Sequence, residues 1–348
     1  MKPGFSTHWS MGSDALITLG HPELVHKWVA RFIDRQQHYD RPVGIGPIDA
    51  ADEADWRAAR GDYQRVSDWY DLFERELAET PWTAVIEMWW PRLVFGCSGG
   101  LTHGLIRTMH AVRSIDRDGD MTALKRRELA TALAYWAARY VEQPTSRTLS
   151  GDAQLPEIIA RVPRIDPNDR IGLRDKGLFL HMPAITGWGE TVAQLSTPED
   201  IEAAFSDLTL AFVQVQLVNP DIFPIPLVHT TTAPAAMRTM LRYLPERLHA
   251  PSFVAAWHAC AALISSFAQP LAEETALAFD GEVAVLTPAE LTAHAVEHGE
   301  MHAIKLTEAC LREYAIRPDP RYLQLPQRLM SQLPPFFRKE APASKVAP

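Results

Sequence analysis

Cysteine is scarce in this chain of 348 residues, which holds only Cys97, Cys260 and Cys310. An odd number of widely separated cysteines does not make the disulfide framework that stabilises small secreted domains. We therefore interpret all three as reduced, buried thiols. The N-terminal segment also lacks the apolar core of a secretory signal. Both absences favour a cytoplasmic protein.

Several common binding patterns are missing as well. No GxGxxG follows a strand-like segment and no GxxxxGK[ST] occurs, so the sequence predicts no flavin site, no NAD site and no P-loop. No run approaches the ~20 apolar residues that cross a bilayer, and we predict no membrane partner. The net charge of −9 argues against nucleic acid, which favours basic surfaces.

Strand signals are few, and helical signals dominate. Only "GEVAVL" (281–286) has the composition of a strand, and it is short. Eight segments repeat apolar residues at steps of three and four, which is typical of amphipathic helices: 22–36, 82–96, 101–115, 122–141, 198–218, 233–248, 253–268 and 288–315. We predict an all-α fold.

The helical segments predict one large bundle-like domain over 1–335, since no linker divides them. A stretch rich in Pro, Gly and Asp at 143–197 is the least regular part, and we expect it to form a lid or a wrapping segment. The tail at 336–348 has the composition of a disordered end.

The most informative motif is HxxxHxxK in "VEHGEMHAIKLTEA" (296–309). At about 100° per residue, His298, His302 and Lys305 lie within an arc of about 60° on the predicted helix 288–315. Apolar residues share that side, so the three side chains are expected to point towards the core. Glu290, Glu297, Glu300 and Glu308 fall on the opposite side, which should face water.

Two histidines four residues apart suggest metal ligands, but the ammonium group of Lys305 would repel a cation. A buried lysine needs either a lowered pKa or a partner. One solution is an ion pair with a buried carboxylate. Another is carboxylation of the neutral amine by CO₂, which gives an anionic carbamate that binds metal through oxygen. The plainer reading is an exposed helix end with a snorkelling lysine.

Other histidines are candidates to complete such a site. His103 and His110 are seven residues apart and share one face of a helix. His229 lies in "PLVHTTTAP", interpreted as a loop that enters a helix, and His8 lies in "STHWSM". His181, in "LFLHMPAITGWG", could line a pocket. Each histidine taken alone is more often a surface or hydrogen-bonded core residue.

Five segments together resemble the questin oxidase-like family. They occur in the family's order over most of the chain: "HWSMGSDALITLG", "THGLIRTMHAVRSI", "RRELATALAYWAARY", "VHTTTAPAAMRTML" and "HAIKLTEACLREY". Members of this family are helical, and the named examples oxidatively open an anthraquinone ring in a reaction described as Baeyer–Villiger-like. Without a flavin fingerprint, the resemblance points to non-haem iron.

Carried over position by position, the resemblance implies a metal site of four histidines and one lysine, namely His8, His103, His229, His302 and carboxylated Lys305. His110 is expected to be a ligand or a neighbour of the ligands, and His298 a supporting or incidental residue. The chain departs from the family where Trp9 follows His8, since members tend to place a glycine there. Trp9 is therefore expected to narrow the pocket or alter access.

The leading interpretation is an iron(II)-dependent oxygenase, monooxygenase or dioxygenase, that uses O₂ on a polycyclic or phenolic aromatic. Iron(II) suits imidazole combined with hard oxygen donors. A zinc-dependent hydrolase with a carboxylated lysine is the second interpretation, although catalytic zinc usually keeps three protein ligands. The third is a non-catalytic helical ligand-binding protein with a polar histidine core. The substrate and the oligomeric state stay open.

Overall fold

The computed structural model describes residues 6–33, 40–165, 179–219, 224–269 and 285–336. Within these ranges the regular structure is helical, and β pairing is limited to isolated bridges such as Cys97 with Val141. The all-α prediction is confirmed. Most of the strand-like "GEVAVL" and residues 337–348 of the predicted tail lie outside the described ranges.

Fifteen α-helices occur in the described ranges, joined by short 3₁₀ turns. They are α1 Trp9–Thr18, α2 Val25–Ile33, α3 Glu53–Ala59, α4 Val66–Glu79, α5 Trp82–Leu93, α6 His103–Asp118, α7 Ala123–Ala138, α8 Leu155–Arg161, α9 Trp188–Val192, α10 Ile201–Leu217, α11 Ile225–Leu241, α12 His249–Phe267, α13 Pro288–His298, α14 Met301–Ile316 and α15 Arg321–Gln332.

Four of these helices pack in a closed ring that positions the site. Helix α1 packs on α6, α6 on α11, α11 on α14, and α14 returns to α1. The remaining helices pack around the ring, with α7 against α6, α12 and α10 against α11, and α13 and α15 against α14. An interior surrounded by helices in this way is a common place for metal and ligand sites.

The predicted helix 288–315 is two helices, and the prediction of a single one is wrong. Gly299 adopts φ +71° and ends α13, and its carbonyl accepts a hydrogen bond from Trp28 Nε1 at 2.8 Å. Glu300 then starts α14. Thr287 and Glu290 form a capping box at the start of α13. Glycine tolerates the left-handed conformation that reverses the chain here.

The segment around His229 is helical and not a loop. Helix α11 begins at Ile225, eight residues before the predicted start at 233, and His229 and Thr232 lie inside it. Pro226 occupies the first turn, where its missing N–H costs nothing. The sequence misled because Pro234 lies inside the helix and a run of threonines precedes it.

The part of 143–197 that is described is irregular, as expected, with the short helices α8 and α9 and two isolated bridges. Residues 166–178 lie outside the described ranges. One segment, Glu246–Phe267, is long and apolar enough to cross a membrane by length and composition, which the sequence reading overlooked. That segment has a mean hydropathy of 1.3, and 83% of it is buried inside the protein.

Candidate metal centre in the four-helix ring

One histidine from each helix of the ring enters a shared buried space. His8 precedes α1, His103 begins α6, His229 lies in α11 and His302 lies in α14; none is more than 7% exposed. The His8 ring centroid lies 4.6 Å from that of His103 and 4.9 Å from that of His302. The His103 and His229 centroids are 4.6 Å apart. Four sequence-distant imidazoles are thus brought together.

An unusual turn positions His103. Gly100, Leu101 and Thr102 all adopt left-handed φ angles, of 60°, 55° and 59°. This turn directs the Gly100 carbonyl at His103, whose Nδ1–H donates to it over 2.7 Å. A side chain at Gly100 would also collide with Tyr135, because a Cβ there would lie 2.6 Å from the phenol oxygen. Left-handed non-glycine residues are strained and concentrate at functional sites.

The same turn also positions His229. Thr102 donates its hydroxyl hydrogen to the Leu101 carbonyl at 2.7 Å. Its oxygen therefore remains an acceptor for His229 Nδ1–H at 3.3 Å. His229 Nε2 is buried and has no hydrogen-bond partner among the described residues.

Glu300 positions His302 in a similar way. One carboxylate oxygen accepts the backbone N–H groups of His302 and Ala303 at 2.7 and 2.9 Å, so it caps α14. The other oxygen accepts His302 Nδ1–H at 2.8 Å. The cap and the orientation of the imidazole therefore depend on one side chain, which is 13% exposed.

These three histidines share one tautomer. In each, Nδ1 carries the hydrogen and donates it to a carbonyl, a hydroxyl or a carboxylate, which leaves the Nε2 lone pair available. Metal-ligating histidines almost always donate their second ring N–H to such an acceptor. In these three imidazoles Nε2 is therefore the nitrogen without a hydrogen.

His8 adopts the opposite arrangement, because Lys305 Nζ donates to its Nδ1 at 3.0 Å. Its hydrogen therefore lies on Nε2 and is donated to His103 Nε2 at 3.1 Å. Within the described chain, no group of three or more His, Cys, Asp or Glu side chains has the arrangement of an ion site. The four rings are close neighbours, and the Nε2 hydrogen of His8 points at His103.

Burial controls protonation at the cluster. It lowers the pKa of His103 to about 3, and the nearby Lys305 charge adds to this effect. Burial also lowers the pKa of His8 and His229 well below the usual histidine range. The pKa of His302 falls for the same reason, opposed by its hydrogen bond to Glu300. All four rings are therefore neutral near pH 7, as metal ligands must be.

Lys305 is 4% exposed, so the snorkelling interpretation is wrong. The ion-pair interpretation is wrong too, since no described carboxylate lies within ion-pair distance and the amine bonds to His8 instead. Burial lowers the pKa of Lys305 to about 8, opposed by the charge of Glu300. A substantial neutral amine fraction is therefore accessible close to physiological pH.

Two of the four glutamates expected to face water are buried or nearly so. Glu308 is 2% exposed, and Arg113 of α6 and Arg312 form ion pairs with it. Glu300 caps α14, as described above. The prediction failed for these two because α14 is packed by α1, α11, α13 and α15, whereas Glu290 and Glu297 on α13 are exposed as expected.

His110 and His298 lie apart from the four rings. His110 Nδ1 donates to the buried Asp14 at 2.8 Å, and Arg113 and Arg117 also bind that carboxylate. Burial opposes ionisation of Asp14, but the His110 hydrogen bond and the Arg113 charge lower its pKa to about 2. His298 belongs to α13 and binds the Leu333 carbonyl through Nε2 at 3.0 Å.

A groove of about 670 Å³ lies between α1, α6 and α7, next to the cluster. Thr7 and Trp9, on either side of His8, line it, as does His110. His110 and Lys305 also share a cavity of about 10 Å³, the size of one water. His181 does not line this groove; it is half-buried, and both its ring nitrogens lack a partner among the described residues.

Sequence reasoning missed the residues that hold the histidines in place, above all Glu300 and Thr102. Gly299 was the sequence signal for a helix end, and a helix end there would have indicated Glu300 as the cap of the next helix. No sequence signal marks Thr102, whose partner is 127 residues away.

Comparison with known proteins identifies the family. The model of the questin oxidase-like family matches residues 27–310, a span that includes every predicted ligand except His8. The search of curated proteins finds no match. Because the family model covers most of the chain, this protein belongs to the questin oxidase-like family.

Proposed function

We propose that this protein is a non-haem iron oxygenase that acts on a polycyclic or phenolic aromatic. The family supports an oxidoreductase of the oxygenase type. The metal proposal depends on one observation: three of the four clustered imidazoles have Nδ1–H bound to a fixed acceptor and Nε2 available. The proposed ligands are His8, His103, His229, His302 and Lys305.

The spacing of the nitrogens fits an ion. Two imidazole nitrogens that bind one ion at right angles, each about 2.1 Å away, lie about 3 Å apart. The Nε2 atoms of His8 and His103 are 3.1 Å apart. His8 must lose its Nε2 hydrogen, or turn, before both lone pairs can face the same ion.

Lys305 is proposed to act as a carbamate. Its amine is buried next to His8 and forms no ion pair with a described carboxylate, and an ammonium there would repel a cation. Carboxylation changes its charge from +1 to −1 and supplies an oxygen donor. A water-sized cavity lies next to Lys305 and is also lined by Glu308 and Arg312.

Bound iron(II) would supply the activation of dioxygen towards an electron-rich aromatic. The protein's own contribution is to keep the ring hydrogens of three histidines on Nδ1. The Gly100 carbonyl, the Thr102 hydroxyl and the Glu300 carboxylate accept these hydrogens. The buried helices around the ring exclude bulk water.

Metal analysis of untagged protein reconstituted anaerobically with iron(II) tests the proposal. We expect about one iron per chain, and oxygen consumption on addition of a hydroxylated anthraquinone. His302→Ala should lose most of the metal, while His26→Ala, an exposed histidine, should keep it. Uptake of zinc without oxygen consumption would favour the hydrolase. No metal at all would make the cluster a polar core network.

A further inference from the structure

We propose that the groove between α1, α6 and α7 is the substrate site, and that its ligand is a planar aromatic anion. This inference rests on the proposed function and adds the charge and the location of the substrate. A cavity of about 670 Å³ is within the range of small-molecule sites, about 300–1,000 Å³.

The groove adjoins the histidine cluster through neighbouring residues. Thr7 and Trp9, which flank His8, line it. Tyr135 also lines it and lies next to Gly100, in the turn that positions His103. Trp9, Tyr63 and Tyr135 give the groove three aromatic side chains.

The charge of the groove is opposite to that of the protein. Five cationic residues line it, namely Arg41, Arg107, Arg117, Lys125 and Arg127, against two carboxylates, Asp14 and Glu128. The chain as a whole carries −9. A positive cleft in an acidic protein concentrates anions.

Two of these cations remain available for a ligand. Arg107 is fully engaged with Glu128 in two hydrogen bonds, Arg117 pairs with Asp14, and Lys125 pairs with Asp118 and Asp120. Arg41 lies over the Tyr70 ring at 3.9 Å without a carboxylate among the described residues. Arg127 is exposed and has no ion-pair partner in the described ranges. A planar aromatic anion in the groove would meet both aromatic side chains and unpaired positive charge.

A second cavity of about 510 Å³ does not share these properties. It lies between α8, α10 and α15, and none of its lining residues is a sequence neighbour of a cluster histidine. Its two arginines are already paired, Arg317 with Asp207 and Arg321 with Asp319. This cavity therefore supplies a matched control for the charge argument.

Binding to metal-free protein tests the proposal, with 2-anthracenecarboxylate as the anion and 2-anthracenecarboxamide as its neutral isostere. Fluorescence anisotropy of each probe gives its dissociation constant. We expect the anion to bind more tightly, and its affinity to fall as NaCl is raised from 50 to 500 mM. Arg127→Gln and Arg41→Gln should each raise the dissociation constant of the anion about three- to tenfold, the range expected of one partly screened charge. The dissociation constant of the amide should stay unchanged.

Arg317→Gln, beside the other cavity, should change neither dissociation constant. Equal affinity for the two probes, a loss caused by Arg317→Gln alone, or no binding of either probe would overturn the proposal. Because the assay needs no metal, its outcome is separate from that of the iron proposal. If the protein binds the anion but takes up no iron, the groove proposal stands and the oxygenase proposal is refuted.

Discussion

Glu300→Gln should alter the metal site without unfolding the helix that carries it. The glutamine keeps one oxygen, which can still accept the backbone N–H groups of His302 and Ala303 that Glu300 now caps at 2.7 and 2.9 Å. Its amide nitrogen replaces the oxygen that accepts His302 Nδ1–H at 2.8 Å. Two donors would then face each other.

His302 can relieve this conflict by moving its hydrogen from Nδ1 to Nε2. Nδ1 would then accept from the glutamine, while Nε2 would present a hydrogen to the cluster and could no longer bind metal. Substitution of such an orienting partner typically lowers metal affinity about 10- to 100-fold, or about 1.4–2.7 kcal/mol. Stability should fall by only about 1 kcal/mol, because the cap survives and one hydrogen bond replaces another.

Two measurements check this expectation. The ¹⁵N chemical shifts of the His302 ring report its tautomer in metal-free protein, and competition with a chelator gives the metal dissociation constant. Glu297→Gln, the same chemical change on exposed α13, is the matched control. Glu300→Ala should lose both the cap and the orientation. An unchanged His302 tautomer with unchanged metal affinity in Glu300→Gln would refute the reasoning.

Three further predictions follow from neighbouring groups. Thr102→Val should weaken metal binding by removing the acceptor for His229 Nδ1–H, while Thr102→Ser should preserve it; equal chelator competition for the two variants would contradict this. Lys305→Met should abolish metal uptake yet raise the free energy of unfolding at neutral pH by about 3 kcal/mol. The reason is that a lysine pKa lowered from 10.5 to about 8 marks a destabilising buried charge, whose effect is lost as pH rises from about 8 to 10.5. Urea unfolding and metal analysis test the two parts, and normal metal content in Lys305→Arg would contradict the carbamate. Asp14, whose pKa is lowered from 3.8 to about 2, should contribute about 2 kcal/mol of stability above pH 4, which is lost as pH falls towards 2. Urea unfolding of Asp14→Asn should show no such pH dependence, and the free energy of unfolding at pH 7 should fall by about 3–5 kcal/mol. A fall under 1 kcal/mol would show that His110 and Arg113 do not depend on Asp14.

Helix positions were largely predictable from local periodicity. Segments such as 122–141 and 253–268 repeat apolar residues at steps of three and four, and the helices α7 and α12 formed there. The errors arose where one residue overrides the pattern. Gly299 divides 288–315 because its left-handed conformation ends α13, and Pro234 hid the start of α11 because a proline inside a helix usually marks an end.

The histidines and Lys305 were recognisable from residue type, spacing and family resemblance. Their surroundings were not, since no local rule reveals that Glu308 is buried against Arg113, 195 residues away. The same holds for Thr102, whose strained turn and partner His229 meet only when α6 packs on α11.

The sequence by itself determined that this protein is helical, that it belongs with the questin oxidase-like proteins, and that His8, His103, His229, His302 and Lys305 are the residues to examine. Only the tertiary structure decided which imidazole nitrogen carries each hydrogen, how Lys305 is partnered, and where a positive groove opens. The physical reason is range. Helix formation depends on contacts three and four residues apart. Tautomers, buried charges and cavities depend instead on groups that the closed ring of α1, α6, α11 and α14 brings together from distant parts of the chain.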